Sequence, residues 1–163
     1  MDKKYKGGFP PLEAAEYKKI VDCAMNNKCP EMLGELLMLF CGLRVGEVTA
    51  LMCDDINMET RNIYVHQSAH RIPKKEKTEG QAKTVFYVSE IPSQSQIRNV
   101  SIPEVLLDYI GMYYCKGRYL LTGEPDVPME ARSLRNRVDR IFDENNVERV
   151  PFQRLRKTWV KDN

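Results

Sequence analysis

Apolar residues recur at helical spacing through the first third of the chain. Residues 12–27 carry them three or four positions apart, which predicts an amphipathic helix that ends near Asn26 and Asn27. Pro30 then opens a segment, residues 31–43, that is apolar on nearly every side and predicts a helix central to the core. Residues 45–52 place four apolar side chains on one face and predict a third, short helix.

The period of the apolar pattern changes from 3.6 to 2 near residue 63. Residues 63–66 alternate between two faces and predict a strand. Residues 67–84 are polar and rich in lysine, so we expect a long exposed excursion there. The segments 85–91 and 98–102 also predict strands, and the three strands together predict one small antiparallel sheet.

The C-terminal part returns to helical spacing. Ser101 and Glu104 have the spacing of a capping box, and Pro103 suits the first turn of a helix that ends near Tyr113. A short apolar segment, 119–121, precedes two more predicted helices, residues 131–145 and 152–160. The predicted fold class is α+β, mainly helical, with a small antiparallel three-stranded sheet.

Composition places the chain among ordinary globular proteins. Of its 163 residues 42% are apolar and 29% are charged, which suits one domain and excludes a wholly disordered chain. The longest apolar run, 32–43, is too short to cross a membrane, and the N-terminus lacks the apolar stretch of a signal peptide. Five cysteines without a C-x-x-C pair favour free thiols in a reducing compartment, so we expect a cytoplasmic protein.

The basic residues are concentrated near the C-terminus. Residues 132–163 hold 9 of the 25 lysines and arginines against 5 of the 23 acidic residues, which leaves 16 against 18 for residues 1–131. Most of that C-terminal excess is arginine, whose planar guanidinium donates two parallel hydrogen bonds to a phosphate. A solvated helix face is the alternative interpretation.

Two arginines stand out by their setting. Arg44, in the stretch Cys-Gly-Leu-Arg-Val-Gly-Glu at 41–47, falls at a junction between two apolar helices, where burial is costly unless an anion meets the charge. The alternative is that Arg44 caps helix carbonyls or pairs with Glu47. Arg156 projects from a helix in which Leu155 and Trp159 are expected to be buried. Two arginines from distant parts of a compact domain can clamp one phosphate.

These segments resemble the tyrosine recombinases, the phage-integrase family. Gly-Leu-Arg-Val-Gly-Glu at 42–47, followed by Leu51 and by Asp55-Ile56, resembles the family's first box, and Phe-Gln-Arg-Leu-Arg-Lys-Thr at 152–158 resembles the second. The stretch 95–103 is similar to the strand that precedes the family's next helix, and 119–123 is similar to a segment that often follows it. The likeness covers about residues 10–163. It implies the mainly helical catalytic-domain fold of these enzymes.

The resemblance also implies a chemistry and its residues. Such enzymes cut and rejoin DNA without a metal or a cofactor: a tyrosine attacks the scissile phosphate, two arginines stabilise its charge, a lysine on a β-turn protonates the leaving oxygen, and histidines support proton transfer. By position, Arg44 and Arg156 are the two arginines and Glu47 is the supporting acidic residue. Partner and site expectations are double-stranded DNA bound through Arg44, Arg98, Arg154, Arg156 and Lys157.

The chain departs from the family pattern at the other catalytic positions. Pro92 or Ser93 stands where the lysine is expected, which makes Lys83 or Lys77 of the excursion the substitute candidates. Gln153 and Lys157 stand at the two histidine positions, and Gln153 cannot shuttle a proton. No tyrosine follows Tyr119. We therefore expect a tail at 1–10, an incomplete recombinase catalytic domain at 11–163, and no DNA cleavage by this chain.

The leading hypothesis is a DNA-binding protein of DNA integration or site-specific recombination, encoded by a bacterium, a phage or a mobile element. One alternative is a non-catalytic DNA- or protein-binding regulatory module on a degenerate recombinase fold. Another is that the apolar surface that the family's C-terminal segment covers serves here for self-association or a partner protein. A metal site is not expected, because His66, His70 and Cys53 make too few convergent ligands.

Overall fold

A computed structural model describes residues 8–75, 79–80 and 82–162, without the side chains of residues 161 and 162. Within these ranges, no helix is both long and apolar enough to span a membrane. The helices are α1 (Ala14–Asn26), α2 (Pro30–Cys41), α3 (Val45–Thr49), α4 (Glu104–Tyr113), α5 (Ala131–Glu144) and α6 (Phe152–Asp162). Their order and approximate bounds are those that the apolar periodicity predicts, and the α+β class is confirmed.

Helix α2 is the centre of the core. It packs against α1, α3, α4, α5 and α6, and nine of its twelve residues are buried. Pro30 stands in its first turn, and Gly42 ends it in the left-handed conformation with φ +64°. A Cβ at Gly42 would lie 2.4 Å from the ring of Trp159, so both the backbone conformation and the packing of α6 need a glycine there.

The strands form two separate sheets rather than one. The three-stranded sheet has the order β1 (Ile56–Asn57), β2 (Asn62–Val65), β5 (Arg98–Ser101), with both pairs antiparallel. The predicted third member, the segment 85–91, is not part of it, and β1 takes its place. Two residues are too few to give a readable alternation, which is why the sequence pattern misses β1.

The predicted exposed excursion over 67–84 is partly wrong. Its first seven residues are β3 (Gln67–Pro73), which pairs antiparallel with β4 (Thr84–Glu90), from Gln67 opposite Glu90 to Pro73 opposite Thr84. This hairpin packs on α3. Gly46 allows the contact, since a Cβ there would lie 2.5 Å from Ser68 Oγ and 2.9 Å from Ala69 O. Backbone pairing holds β3, whose side chains are too polar for an apolar alternation.

Two local details complete the comparison with the sequence. The predicted capping box at the start of α4 is absent, because Ser101 pairs with Asn62 in the sheet and the N-cap is Pro103 without a side-chain hydrogen bond. The structure has its five cysteines as free thiols. Among the described residues, no group of three or more histidines, cysteines and acids is arranged to hold a metal ion.

Candidate phosphate-binding site

Arg44 stands at the N-cap of α3, directly after the turn that ends α2. Its backbone N–H donates to Glu47 Oε2 at 2.8 Å, and its guanidinium NH1 lies 3.2 Å from Glu47 Oε1 and 3.4 Å from Gln96 Oε1. The side chain is nevertheless 43% exposed. The Glu47 carboxylate therefore orients Arg44, while much of the Arg44 side chain stays exposed to an incoming anion.

Glu47 is the buried acid beneath the arginines, and only 2% of its side chain is exposed. Arg98 of β5 clamps it with two hydrogen bonds, NH1 to Oε1 at 3.0 Å and NH2 to Oε2 at 2.9 Å. Burial alone would raise the pKa of Glu47, but the hydrogen bonds from Arg98 and from the Arg44 backbone, with the charges of both arginines, lower it. Glu47 is therefore ionised at neutral pH and anchors both arginines.

Arg156 approaches the same place from α6. Its Nε donates to the carbonyl of Gly42 at 3.2 Å, which fixes the guanidinium beside the first box. Burial lowers the pKa of Arg156, and the positive charges of Arg44 and Arg98 lower it further, against the opposing effect of Glu47. Arginine stays protonated through such shifts. Glu47 thus pairs with Arg44 and Arg98, and the Arg156 guanidinium lies close enough to feel their charges, which leaves an excess of two positive charges that an anion can neutralise.

A groove of about 1110 Å³ opens beside Arg44 and Arg156. Asp139 is the one carboxylate among its described lining residues. Phe9, Met38, Leu43, Val45, Phe152 and Val160 supply apolar walls, and the cationic side chains are Arg44, Arg132, Arg135, Arg149, Arg156 and Lys157. The groove is therefore strongly basic along its polar edge and apolar elsewhere.

The structure brings together most of the predicted site residues. Gln153 and Lys157, which stand at the two histidine positions of the family pattern, line the groove together with Arg44 and Arg156. Arg98 is joined to this site by its hydrogen bonds to Glu47. Lys83 does not line the groove; its carbonyl accepts a hydrogen bond from the Lys74 N–H at the loop end of the hairpin. Lys77 lies outside the described residues.

Arg154 is a correction, because its side chain is used inside the fold. It is 5% exposed, and its guanidinium donates to both carboxylate oxygens of Glu16, at 2.7 and 2.6 Å, and to the carbonyls of Pro10 and Pro11. Residues two apart on a helix point about 200° apart, so Arg154 and Arg156 cannot serve the same face. Arg154 joins α6 to the start of the chain, and we leave it out of the DNA-contacting set.

Sequence reasoning misses several contributors to this site. The pairing of Arg98 with Glu47 spans 51 positions, and only a fold-level argument could have found it. Arg135 stacks on Phe152, with its guanidinium carbon 3.4 Å from the ring centroid, and donates to the Val150 carbonyl at 2.7 Å. The clustering of arginines after residue 131 was the only signal for the groove residues Arg132, Arg135 and Arg149.

Tyrosines are absent from the groove lining within the described part of the chain. Tyr119, the last in the sequence, forms an isolated bridge with Met52. Burial raises the pKa of Tyr119, and Asp126 and Asp55 raise it further, so its hydroxyl stays protonated at neutral pH. The groove beside Arg44 and Arg156 is therefore lined by no tyrosine of the described residues.

Solved structures share this fold over nearly the whole chain. The integrase of the Tn1549 transposon, in complex with a circular intermediate DNA, matches with a TM-score of 0.69 and 18% identity over 99% of this chain and 55% of its own. XerA recombinase matches with a TM-score of 0.64 and 16% identity over 95% of this chain and 51% of its own. The chain thus spans about half the length of these structures.

The sequence comparisons agree with the fold. None of the curated proteins matches the chain in sequence. The model of the phage integrase family, in contrast, matches residues 11–162, which include Arg44, Glu47, Arg98 and Arg156. With that match over almost the full length, and with the same fold in two recombinases, this chain belongs to the phage integrase family.

Proposed function

We propose that this chain binds the phosphate backbone of duplex DNA through Arg44 and Arg156, as part of DNA integration or site-specific recombination, and that it does not itself cleave DNA. The observation that carries the proposal is that Arg156 lies beside Arg44 and Arg98, which share the single buried, ionised carboxylate of Glu47. Glu47 neutralises only one of the three charges. Arg156 has no carboxylate within ion-pair distance among the described residues, so its charge is available to a phosphate.

The geometry suits a phosphate more than a carboxylate or a simple halide. Arg44, at the N-cap of α3, and Arg156, on α6, line the same groove and feel each other's charge, so an anion with several oxygens spread tetrahedrally can accept from both at once. Glu47 and the Gly42 carbonyl orient the two guanidinium groups before any ligand arrives. Such preorganisation lowers the entropic cost of binding.

Duplex DNA is favoured over an isolated phosphate by the extent of the positive charge. Arg132 and Lys157 continue the basic edge along the groove, whereas the Arg149 guanidinium is paired with Asp143 and Asp139. A nucleic-acid backbone presents a row of phosphates to such an edge. The Tn1549 integrase, which shares the fold, was solved in complex with a circular intermediate DNA and with transposon right end DNA. These relatives support DNA as the ligand class.

Inability to cleave rests on the residues that stand at the catalytic positions. Gln153 cannot exchange a proton near neutral pH, and a lysine, Lys157, stands where the family pattern has the second histidine. No described tyrosine lines the groove. Without a nucleophile the covalent step is lost outright, whatever phosphate binding remains.

The binding test is a salt titration of a fluorescent DNA duplex followed by anisotropy. The chain is compared with the Arg44→Ala, Arg156→Ala variant and with a charge-matched control, Lys19→Ala with Arg140→Ala, two exposed positions outside the groove. We expect the groove variant to lose about two from the slope of log K against log salt and at least tenfold in affinity. The control should change far less; equal losses in both would refute the site.

The cleavage test uses a nicked suicide duplex that traps a phosphotyrosyl adduct. We expect binding of the duplex and no adduct that survives denaturation with SDS. An adduct that disappears in Tyr119→Phe or in the Arg44→Ala, Arg156→Ala variant would overturn the second half of the proposal and leave the first half standing.

One observation favours a second candidate, a non-catalytic protein-binding module. The groove walls are largely apolar, with Phe9, Met38 and Val160 among them, and exposed apolar grooves often take up helices of a partner. If DNA binding is absent at low salt while the fold is intact, this module becomes the better interpretation.

A further inference from the structure

Two segments far apart in sequence lie side by side behind α3. The Cys53 N–H donates to the Arg118 carbonyl at 2.9 Å, and the Leu120 N–H donates to the Leu51 carbonyl at 2.9 Å. The Gly117 N–H donates to Asp54 Oδ2 at 2.6 Å. These three hydrogen bonds hold the turn that follows α3 against the segment that follows α4. Side chains of the two segments therefore lie close to one another.

Cys53 and Cys115 are such neighbours. The Cys115 N–H donates to the Sγ of Cys53 at 3.3 Å. Because N–Cα is about 1.5 Å, the Cα of Cys115 lies within about 4.8 Å of that sulfur. A disulfide needs Cα atoms about 4.4–6.8 Å apart. Cys115 sits in an exposed turn that can make the remaining adjustment by a side-chain rotation and a small backbone shift.

Cys53 and Cys115 differ in exposure to solvent, and this difference decides which thiol an oxidant meets first. Cys115 is exposed, whereas Cys53 is fully buried. Burial raises the pKa of Cys53, and the neighbouring acids Asp54 and Asp55 add to the rise. An oxidant from solution therefore meets Cys115 first, and Cys53 is the thiol held behind it.

We propose that Cys53 and Cys115 form a modification site at which a two-electron oxidant of the peroxide class closes an intramolecular disulfide. The Cys115 thiolate attacks the peroxide oxygen and becomes a sulfenic acid as the O–O bond breaks and hydroxide leaves, and this hydroxide takes up the proton that the Cys115 thiol had released, which gives one water. The Cys53 thiol then attacks the sulfenic sulfur, the S–S bond forms, and the departing hydroxide takes the Cys53 proton as a second water. Both sulfurs are oxidised and the peroxide is reduced.

The disulfide closes a loop from residue 53 to residue 115 around β2, β5, the hairpin and α4. Cross-linking a long loop stabilises a fold mainly by restricting the unfolded chain. Neither Cys53 nor Cys115 lines the groove beside Arg44. Oxidation is therefore expected to raise thermal stability and to leave the groove accessible.

The remaining cysteines provide internal controls. Cys23 and Cys41 are buried: the Cys23 sulfur accepts a hydrogen bond from Asn27, and the Cys41 thiol donates one to the Ser101 carbonyl. Cys29, at the N-cap of α2, donates its N–H to the Tyr109 hydroxyl. Among the described contacts, Cys53 with Cys115 is the pair in which one cysteine touches another. A specific reaction should therefore spare Cys23, Cys29 and Cys41.

The test treats the native, reduced chain with hydrogen peroxide and follows intact mass, a non-reducing peptide map and the melting temperature. We expect a loss of about 2 Da, one cross-linked peptide that joins Cys53 to Cys115, and a higher melting temperature that a dithiol reverses. Cys115→Ser, a surface change that should fold normally, should abolish all three, and Cys29→Ala should retain them. Overoxidation of Cys115 without a cross-link, a disulfide at other positions, or a disulfide-linked dimer would overturn the proposal.

Discussion

Two buried glutamates on consecutive helices have opposite fates. Glu47 of α3 accepts two hydrogen bonds from Arg98 and one from the Arg44 backbone, and its pKa is lowered. Glu35 of α2 is fully buried, neither of its oxygens has a hydrogen-bond partner among the described residues, and burial raises its pKa to about 8. Burial is common to both, so the arrangement of donors decides which acid is charged.

The difference separates the site from the core. Glu47 is surrounded by donors that remain close enough to the groove to meet a ligand, and its ionisation is what holds Arg44 and Arg98 in position. Glu35 lies among apolar side chains, with only the charge of Arg135 to favour ionisation and that of Asp139 to oppose it. At neutral pH Glu35 is therefore protonated, and it has no part in anchoring the arginines.

The largest expected effect comes from breaking the pair at Glu47. Arg98→Ala leaves a buried carboxylate without its two strongest donors, and we expect the free energy of unfolding at pH 7 to fall by about 3 kcal/mol. Urea unfolding measures it. Glu47 has a depressed pKa, so this contribution is present above its unfolded pKa and is lost as the pH falls through the folded value.

The matched control for that prediction removes the charge as well as its partner. The variant Arg98→Ala with Glu47→Gln leaves no uncompensated buried charge, so it should unfold at a higher urea concentration than Arg98→Ala alone at pH 7. If both variants lose the same stability, the pair contributes packing rather than charge compensation.

A smaller effect of opposite sign is expected at Glu35. Its folded pKa is about 8 and its unfolded pKa is near 4.3, so the native state holds a proton that the unfolded state has lost between those values. The stability of the chain therefore decreases as the pH rises from about 4.3 to about 8. Glu35→Leu removes this dependence, so we expect its free energy of unfolding, relative to that of the unchanged chain, to be greater at pH 8 than at pH 5 by at least about 2 kcal/mol.

Unfolding at pH 5 and at pH 8 tests the sign. Glu35→Leu should differ from the unchanged chain mainly at pH 8, and Glu35→Gln should also flatten the pH profile while keeping an unsatisfied amide in the core. A profile that stays steep in both variants would show that another group titrates in this range.

The sequence predicts the helices and two arginines of the site better than it predicts the contacts between distant segments. The helices could be read because their apolar residues repeat over three or more turns, and Arg44 and Arg156 could be found because they interrupt such repeats. The pairing of β3 with β4 could not be predicted, because hydrogen bonds between backbones impose no recognisable pattern on side chains that are polar. Arg98 with Glu47 and Arg154 with Glu16 join residues 51 and 138 positions apart, and only the folded chain decides which arginine is anchored and which is free.

The smallest expected effect lies at a third acidic contact, nearer the surface. His66 joins the hairpin to the rest of the fold: its Nε2 is 2.8 Å from Asp55 Oδ1 and its Nδ1 is 3.0 Å from Glu90 Oε2. Burial alone lowers the pKa of His66, but the hydrogen bonds and charges of Glu90 and Asp55 raise it above its usual value. The protonated ring of His66 is thus paired with two carboxylates. In contrast, Glu35 has no hydrogen-bond partner among the described residues, and Glu47 is held by Arg44 and Arg98.

The sign follows from the raised pKa. The stabilisation is complete below the unfolded pKa of about 6.5 and is lost as the pH rises through the folded pKa of His66. His66→Gln keeps hydrogen bonding without a charge, so we expect it to cost about 1 kcal/mol at pH 6 and less at pH 9. Unfolding in urea at the two pH values measures the difference, and His70→Gln, on the exposed hairpin, is the control. A His66→Gln cost that is equal at both pH values would assign to His66 a packing role against Tyr64, whose ring stacks on it at 4.9 Å between centroids, instead of a charge-dependent link between hairpin and core.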